Sequence, residues 1–200
     1  MPLRRIGNKI REAGRSLLGL ESEEAEEVVE ATGDEYIEDG EPHYPYVVRG
    51  ARIFCQYGTH VRRLDMPAAH GAFIRDKAMM NEADCKVGLS LNIAPFGGCH
   101  SPLNQGPRID ITVGPGEEPM PTGFDEATRT AISPPPGTVI PDVRLCVPIL
   151  GNKWLDAEKE TLVDGKPALT MKCSIMCAYV GVSTGETSGI SFIDDGQEAG

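Results

Sequence analysis

The residues best able to do chemistry are six cysteines: Cys55, Cys85, Cys99, Cys146, Cys173 and Cys177. They are spread over a body running from about Tyr46 to Gly200, each set in a short apolar or turn-like stretch. Thiols this far apart join distant segments through a metal or through disulfides. Alternatively they simply pack, because free cysteine is among the most buried residue types. Zinc asks for about four sulfur or imidazole ligands in a tetrahedron, and ordinary fingers supply them as paired C-x2-C knuckles. This chain has none; Cys173 and Cys177 are spaced by four, wide for a knuckle. Cys99 directly follows Pro95-Phe96-Gly97-Gly98, a turn that lets a thiolate point inward, and His70 precedes Gly71 in the same kind of setting. A mixed His/Cys site drawn from distant turns is one reading; packing and disulfides are the others.

The remaining constellations carry less chemistry. Cys99 and His100 make a poor nucleophile–base pair, because neighbours on a strand point to opposite faces. Asp194 and Asp195 are adjacent and lack the opposed geometry of acid–base catalysis. The glycines form neither a G-x-G-x-x-G nor a Walker pattern between a strand and a helix. His43, in the linker Glu-Pro-His-Tyr-Pro, and His60, after Tyr57-Gly58-Thr59, read as surface positions. The expectation is a protein that is not an enzyme.

Positioning such thiols falls to short strands. The 200 residues include 23 Gly and 16 Pro with only 6% aromatics, a composition of many turns and few helices. The expected strands are Tyr46–Tyr57, Gly88–Ile93, Val139–Leu150, Thr161–Val163, Ala168–Lys172, Ile175–Val182 and Gly189–Ile193. Gln105–Pro136, low in apolar content and rich in Pro and Gly, reads as a long surface excursion. The fold class is all-β, with a barrel, prism or sandwich as the architecture.

The net charge of −11 is local in origin. Residues 1–20 carry five basic groups and one acid, whereas residues 21–45 carry eleven acids and no base. That run argues against a nucleic-acid partner. Leu3, Ile6, Ile10, Ala13, Leu17 and Leu20 form one helical stripe with the basic residues off it. It reads either as a frayed tail or as a docking helix whose partner-binding residues are Leu3, Ile6, Ile10 and Leu17. Residues 1–45 are therefore a charged extension, helix plus acidic linker, and residues 46–200 a domain. No stretch reaches the roughly 18 apolar residues of a membrane span, and the first residues lack a secretory h-region. Cytoplasmic synthesis is expected, which keeps thiols reduced and favours metal ligation or burial over disulfides.

Four segments in this order and spacing resemble the PAAR-like proteins, a bacterial family long catalogued as a domain of unknown function. They are residues 46–74 (YVVRGARIFCQYGTHVRRLDMPAAHGAFI), 92–104 (NIAPFGGCHSPLN), 143–154 (VRLCVPILGNKW) and 164–197 (DGKPALTMKCSIMCAYVGVSTGETSGISFIDDGQ). The shared features are a Gly-Ala-x-x-x-Cys opening, a His-Gly pair, a Phe-Gly-x-Cys turn and a Cys-x-Pro strand with a following Trp. A Pro-Ala-Leu segment, a cysteine cluster and an Asp-Asp-Gly-Gln ending complete the pattern. The chain departs from it in the wide Cys173–Cys177 spacing, in residues 105–140 and in residues 182–189. The resemblance implies a cone-like β-prism that caps the trimeric VgrG-like spike of a type VI secretion system or a phage-tail-like contractile particle. It also implies a zinc ion held near the apex by His and Cys. Carried over by position, the metal ligands are His70, Cys99, Cys146 and Cys177, with Cys173 and Cys55 next. Such a tip is assembled on the baseplate spike, makes transient contact with a target membrane and leaves the cell on firing, with or without effector cargo. An effector-tethering adaptor using Gln105–Pro136 is the alternative, and a metal- or cysteine-dependent hydrolase a more distant one.

Overall fold

A computed structural model describes residues 36–38, 41–180 and 189–198. The stripe Leu3, Ile6, Ile10 and Leu17 and most of the 182–189 interruption lie outside the described residues. By its contacts the chain divides into Met1–Tyr36 and Ile37–Gly200, and the domain's strands belong to the second unit.

The described residues are all-β. The strands are β1 (Tyr36–Glu38), β2 (Glu41–His43), β3 (Arg52–Cys55), β4 (Arg62–Arg63), β5 (Phe73–Ile74), β6 (Lys77–Ala78) and β7 (Gly98–Cys99). They continue as β8 (Arg108–Thr112), β9 (Gly123–Asp125), β10 (Thr130–Ile132), β11 (Val139–Leu145), β12 (Glu158–Val163), β13 (Lys166–Ala168) and β14 (Ile190–Phe192). Two sheets have three strands, in the orders β14-β3-β4 and β7-β11-β8. β1-β2, β5-β6, β9-β10 and β12-β13 pair alone, so among the described residues no sheet closes into a barrel. Glycine and proline spaced this densely cut every apolar run before it can lengthen.

Tight turns make the short pairs. Asp164 and Gly165, both at positive φ (52° and 71°), join β12 to β13 in the Asp-Gly manner whose twist suits a two-residue hairpin. The core gathers Ile53, Leu64, Met80, Ile93, Phe96, Leu169, Ile175 and Ile190 around a fully buried Trp154. That indole stacks on Phe192 at 4.9 Å and donates Nε1–H to the Asp84 carbonyl at 2.9 Å.

The end of the domain is fastened to its beginning. Asp194 accepts the Arg52 amide at 3.0 Å and the Arg52 guanidinium at 3.0 Å, while Gln197 Nε2 donates to the Tyr46 carbonyl at 2.7 Å. Gly196, at φ 77°, passes so close to Ala51 that a Cβ there would stand 2.5 Å from the Ala51 nitrogen. The Asp-Asp-Gly-Gln ending is thus a clasp, its glycine required both by the left-handed turn and by the approach.

Several expected strands differ. Gly88–Ile93 is a closed loop, with Leu91 N bonded to Gly88 O and Ile93 N to Lys86 O, and Leu89 and Leu91 face solvent. Ala168–Lys172 is strand only at its first residue, and Ile175–Val180 contributes isolated bridges in place of a strand. Conversely, the excursion Gln105–Pro136 contains β8, paired with β11, and the hairpin β9-β10.

Candidate functional site

Backbone pairing draws four of the six thiols to one place. Cys55 ends β3 opposite Ile190, and its carbonyl accepts the Gly58 amide at 2.8 Å in a tight turn. Gly58 bridges Cys99, and Cys99 in turn faces Arg144 of β11. Two residues beyond Arg144, Cys146 donates its amide to the Gly97 carbonyl at 3.3 Å. Leu150 then bridges Cys177, and Ile175 bridges Ile190, returning to Cys55. The pairings close a ring. Inside it lies an apolar cavity of about 10 Å³, lined by Cys55, Cys99, Cys146 and Cys177 together with Tyr57, Phe96, Pro148, Tyr179 and Ile190 among others. That is room for one atom or water-sized body.

The turn that delivers Cys99 tolerates no side chain. A Cβ on Gly97 (φ 74°) would run into the His60 ring and the Thr59 hydroxyl, and one on Gly98 into Val143. Thr59 Oγ1 accepts the Gly98 amide at 2.8 Å, fixing the turn from below. Phe96-Gly97-Gly98-Cys99 therefore holds its shape by packing as well as by dihedral.

Burial governs the acidity of two ring thiols, Cys146 and Cys55. It pushes Cys146 up to about 12, and the neighbouring Cys99, Cys55 and Cys177 add to the rise against one opposing backbone hydrogen bond. Cys55 is raised too, first by burial, with Cys177 and Cys99 contributing. All six cysteines are free and buried. The raised Cys146 and Cys55 are poor nucleophiles at neutral pH, because the thiolate is the reactive form. Cys99 and His100 part company as the strand geometry requires, the thiol buried and the imidazole exposed.

The other expected ligands sit elsewhere. His70 Nε2 donates to the Asp84 carboxylate, 3.0 Å from each oxygen, and its Nδ1 lies 3.5 Å from Asp164. Asp84 also accepts the Asn81 amide at 2.8 Å. His70 does not line the thiol cavity. Neither does Cys173, whose sulfur accepts the Thr170 amide at 3.3 Å and donates to the Asp156 carbonyl at 3.5 Å. Cys55, the last of the expected candidates, belongs to the ring.

His60 departs from its expected surface position: it is completely buried. Its Nδ1 pairs with Thr59 Oγ1 at 2.8 Å, while Nε2 has no hydrogen-bond partner and stands 3.5 Å from Glu117. Burial holds this histidine below its ordinary value, against the pull of Glu117. The Gly58-Thr59-His60 turn is overlaid by the strap Glu117–Met120, through Val61 N to Glu118 O and Met120 N to Thr59 O. A distant strap of this kind leaves no local signature in the sequence.

Residues 47–197 match the domain of unknown function DUF4280. The chain belongs to that family. No curated protein and no solved structure gives a match to it. The DUF4280 region takes in the thiol ring, the His70 corner and the C-terminal clasp.

A thiophilic metal fits the donor chemistry of the ring: four sulfurs, an atom-sized void, and no carboxylate, imidazole or amine in its lining. Among the described residues no three His, Cys, Asp or Glu side chains already stand in a metal-holding arrangement. Loading would draw the sulfurs inward from positions the ring has set.

Proposed function

We propose that this DUF4280 domain is a PAAR-like spike tip: a structural, non-enzymatic cap on the trimeric VgrG-like spike of a contractile injection system, stapled by a bound zinc ion. The observation that carries the reading is the closed ring of pairings that brings Cys55, Cys99, Cys146 and Cys177 to one small apolar cavity. Strands of two to seven residues in sheets of two or three make a body with little continuous sheet. A cation held by side chains from four separate segments supplies folding free energy and stiffness that such strands lack alone. A point driven through an envelope needs that stiffness. Cys55, Cys99, Cys146 and Cys177 would hold the ion, which would supply a crosslink among their four segments.

The resemblance in segment order supports the same reading, since it extends from the Gly-Ala-x-x-x-Cys opening to the Asp-Asp-Gly-Gln clasp. Assembly begins in the cytoplasm on the baseplate spike and ends outside the cell. Co-expression of the full chain with its cognate trimeric spike protein tests this. A stable complex of one chain per spike trimer is expected, and absence of any association overturns it.

A second reading, an adaptor that tethers an effector, draws on the hairpin β9-β10. Its Phe124 and Ile132 side chains are more than half exposed and project from a pair bonded to no other sheet. That reading requires a toxin to copurify with the spike complex, and to be lost when the hairpin is replaced.

A further inference from the structure

The stapled-tip reading, on which this inference rests, does not say whether the four ring thiols suffice as ligands or a further side chain joins them. We propose that Cys55, Cys99, Cys146 and Cys177 are the complete ligand set of a single thiophilic cation, an all-sulfur site in which neither His70 nor Cys173 takes part. Only these four of the six cysteines line the cavity. Each arrives on a different segment, so four ligands come with four independent backbone anchors and no flexible pair. Tetrahedral zinc takes four sulfurs at about 2.3 Å, so the set is complete without a fifth donor.

The excluded candidates are each satisfied elsewhere. Both His70 nitrogens face carboxylates, Asp84 on one side and Asp164 on the other. Turning His70 toward the ring would strip Asp84 of that partner. The Cys173 sulfur is engaged with Thr170 and the Asp156 carbonyl. Cys85 follows Asp84 in the turn closed by the Asn81 carbonyl and lies outside the cavity lining. Four sulfurs in a lining without carboxylate, imidazole or amine select soft d10 ions such as zinc or cadmium over magnesium and calcium.

The test uses the full chain, purified under reducing conditions, loaded with zinc and dialysed against a weak chelator. Elemental analysis should give one zinc per chain, with no calcium or magnesium. Cys55→Ser, Cys99→Ser, Cys146→Ser and Cys177→Ser should each weaken zinc binding at least about 100-fold, more than loss of an outer-shell partner. His70→Gln and Cys173→Ser should leave the stoichiometry unchanged. Cadmium-113 NMR of the wild-type chain, which depends on no variant, should report four sulfur ligands. Full zinc retention in Cys55→Ser, zinc loss in His70→Gln, or a cadmium shift showing a nitrogen ligand would each overturn the set. A nitrogen ligand would leave the stapled tip standing, whereas failure to join the spike with zinc in place would remove the tip and keep the site. A chain that binds no zinc removes both the site and the staple.

Discussion

The thiol ring and the His70 corner both use polarizable or titratable side chains brought together from distant turns, yet their surroundings differ in kind. Around Cys55, Cys99, Cys146 and Cys177 the wall is aliphatic and aromatic, and the sulfurs have one another for neighbours. His70 instead has carboxylates on two sides, and Asp84 is further held by the Asn81 amide. The corner is complete as it stands, because each donor there has an acceptor. In the ring, backbone amides reach the Cys55 and Cys146 sulfurs, and the lining adds no carboxylate, imidazole or amine. Satisfied polar clusters hold a fold, whereas four soft ligands around an atom-sized void are able to take up a cation.

Removing the ion should separate the two regions most sharply. At a free-zinc level a thousandfold above Kd, bound metal contributes about 4 kcal/mol. In a chain of this length that is a Tm difference of about 10 °C. Stripping it with a strong chelator should cause that fall in a thermal melt. Amide exchange should then quicken around Cys55 and Cys99 before it quickens around Asp84. Equal quickening in both regions would show that they form one cooperative unit.

Trp154→Ala should cost about 3–5 kcal/mol in urea unfolding. The indole packs the common core and also bonds the backbone behind Asp84, so this change should loosen both regions together. Asp84→Asn should be smaller and one-sided, about 1–3 kcal/mol for the disturbed His70 and Asn81 bonds, with zinc content unaltered.

His60 gives a pH signature that belongs to neither region. Its folded value lies below the ordinary 6.5 because burial disfavours the charged form. Below 6.5 the unfolded chain therefore binds a proton that the folded chain refuses, and stability falls as pH falls. The slope from this residue is at most about 1.4 kcal/mol per pH unit. Urea midpoints measured from pH 7.5 to 5.5 should show it, and His60→Asn should flatten the curve. Smallest of all, Phe124→Ser on the exposed hairpin should shift stability by no more than about 0.5 kcal/mol. A larger loss would mean that β9-β10 packs on the body.

Much of the all-β fold was legible because Gly and Pro punctuate the chain so heavily. β3, β11 and β14 fall inside expected strands, and β12 begins three residues before the expected Thr161–Val163. Gly88–Ile93 misled because an apolar run with one glycine reads the same whether its leucines are buried or face solvent, as Leu89 and Leu91 do. β8 was hidden in the opposite way: Arg108-Ile109-Asp110-Ile111-Thr112 alternates with period two, but low apolar content drew the eye to a loop. Of the site, Cys99 was picked out by its turn, and Cys146 and Cys177 by the segment resemblance. Cys55 ranked behind His70 because spacing along the chain carries no trace of the β14-β3 pairing that turns Cys55 toward the others. His60 looked exposed for a related reason: the strap that covers it comes from more than fifty residues downstream.

The pairing of β3 with β14 sets an order of events for a ribosome making this protein. Ile53 waits for Phe192, and Cys55 for Ile190, across most of the domain's length. Translation must therefore have passed Phe192 before β3 gains this neighbour, and the Asp194 clasp locks only after that. A nascent chain halted short of Ile190 would carry all six thiols with its enclosure still open on one side, exposed to any passing oxidant or stray metal.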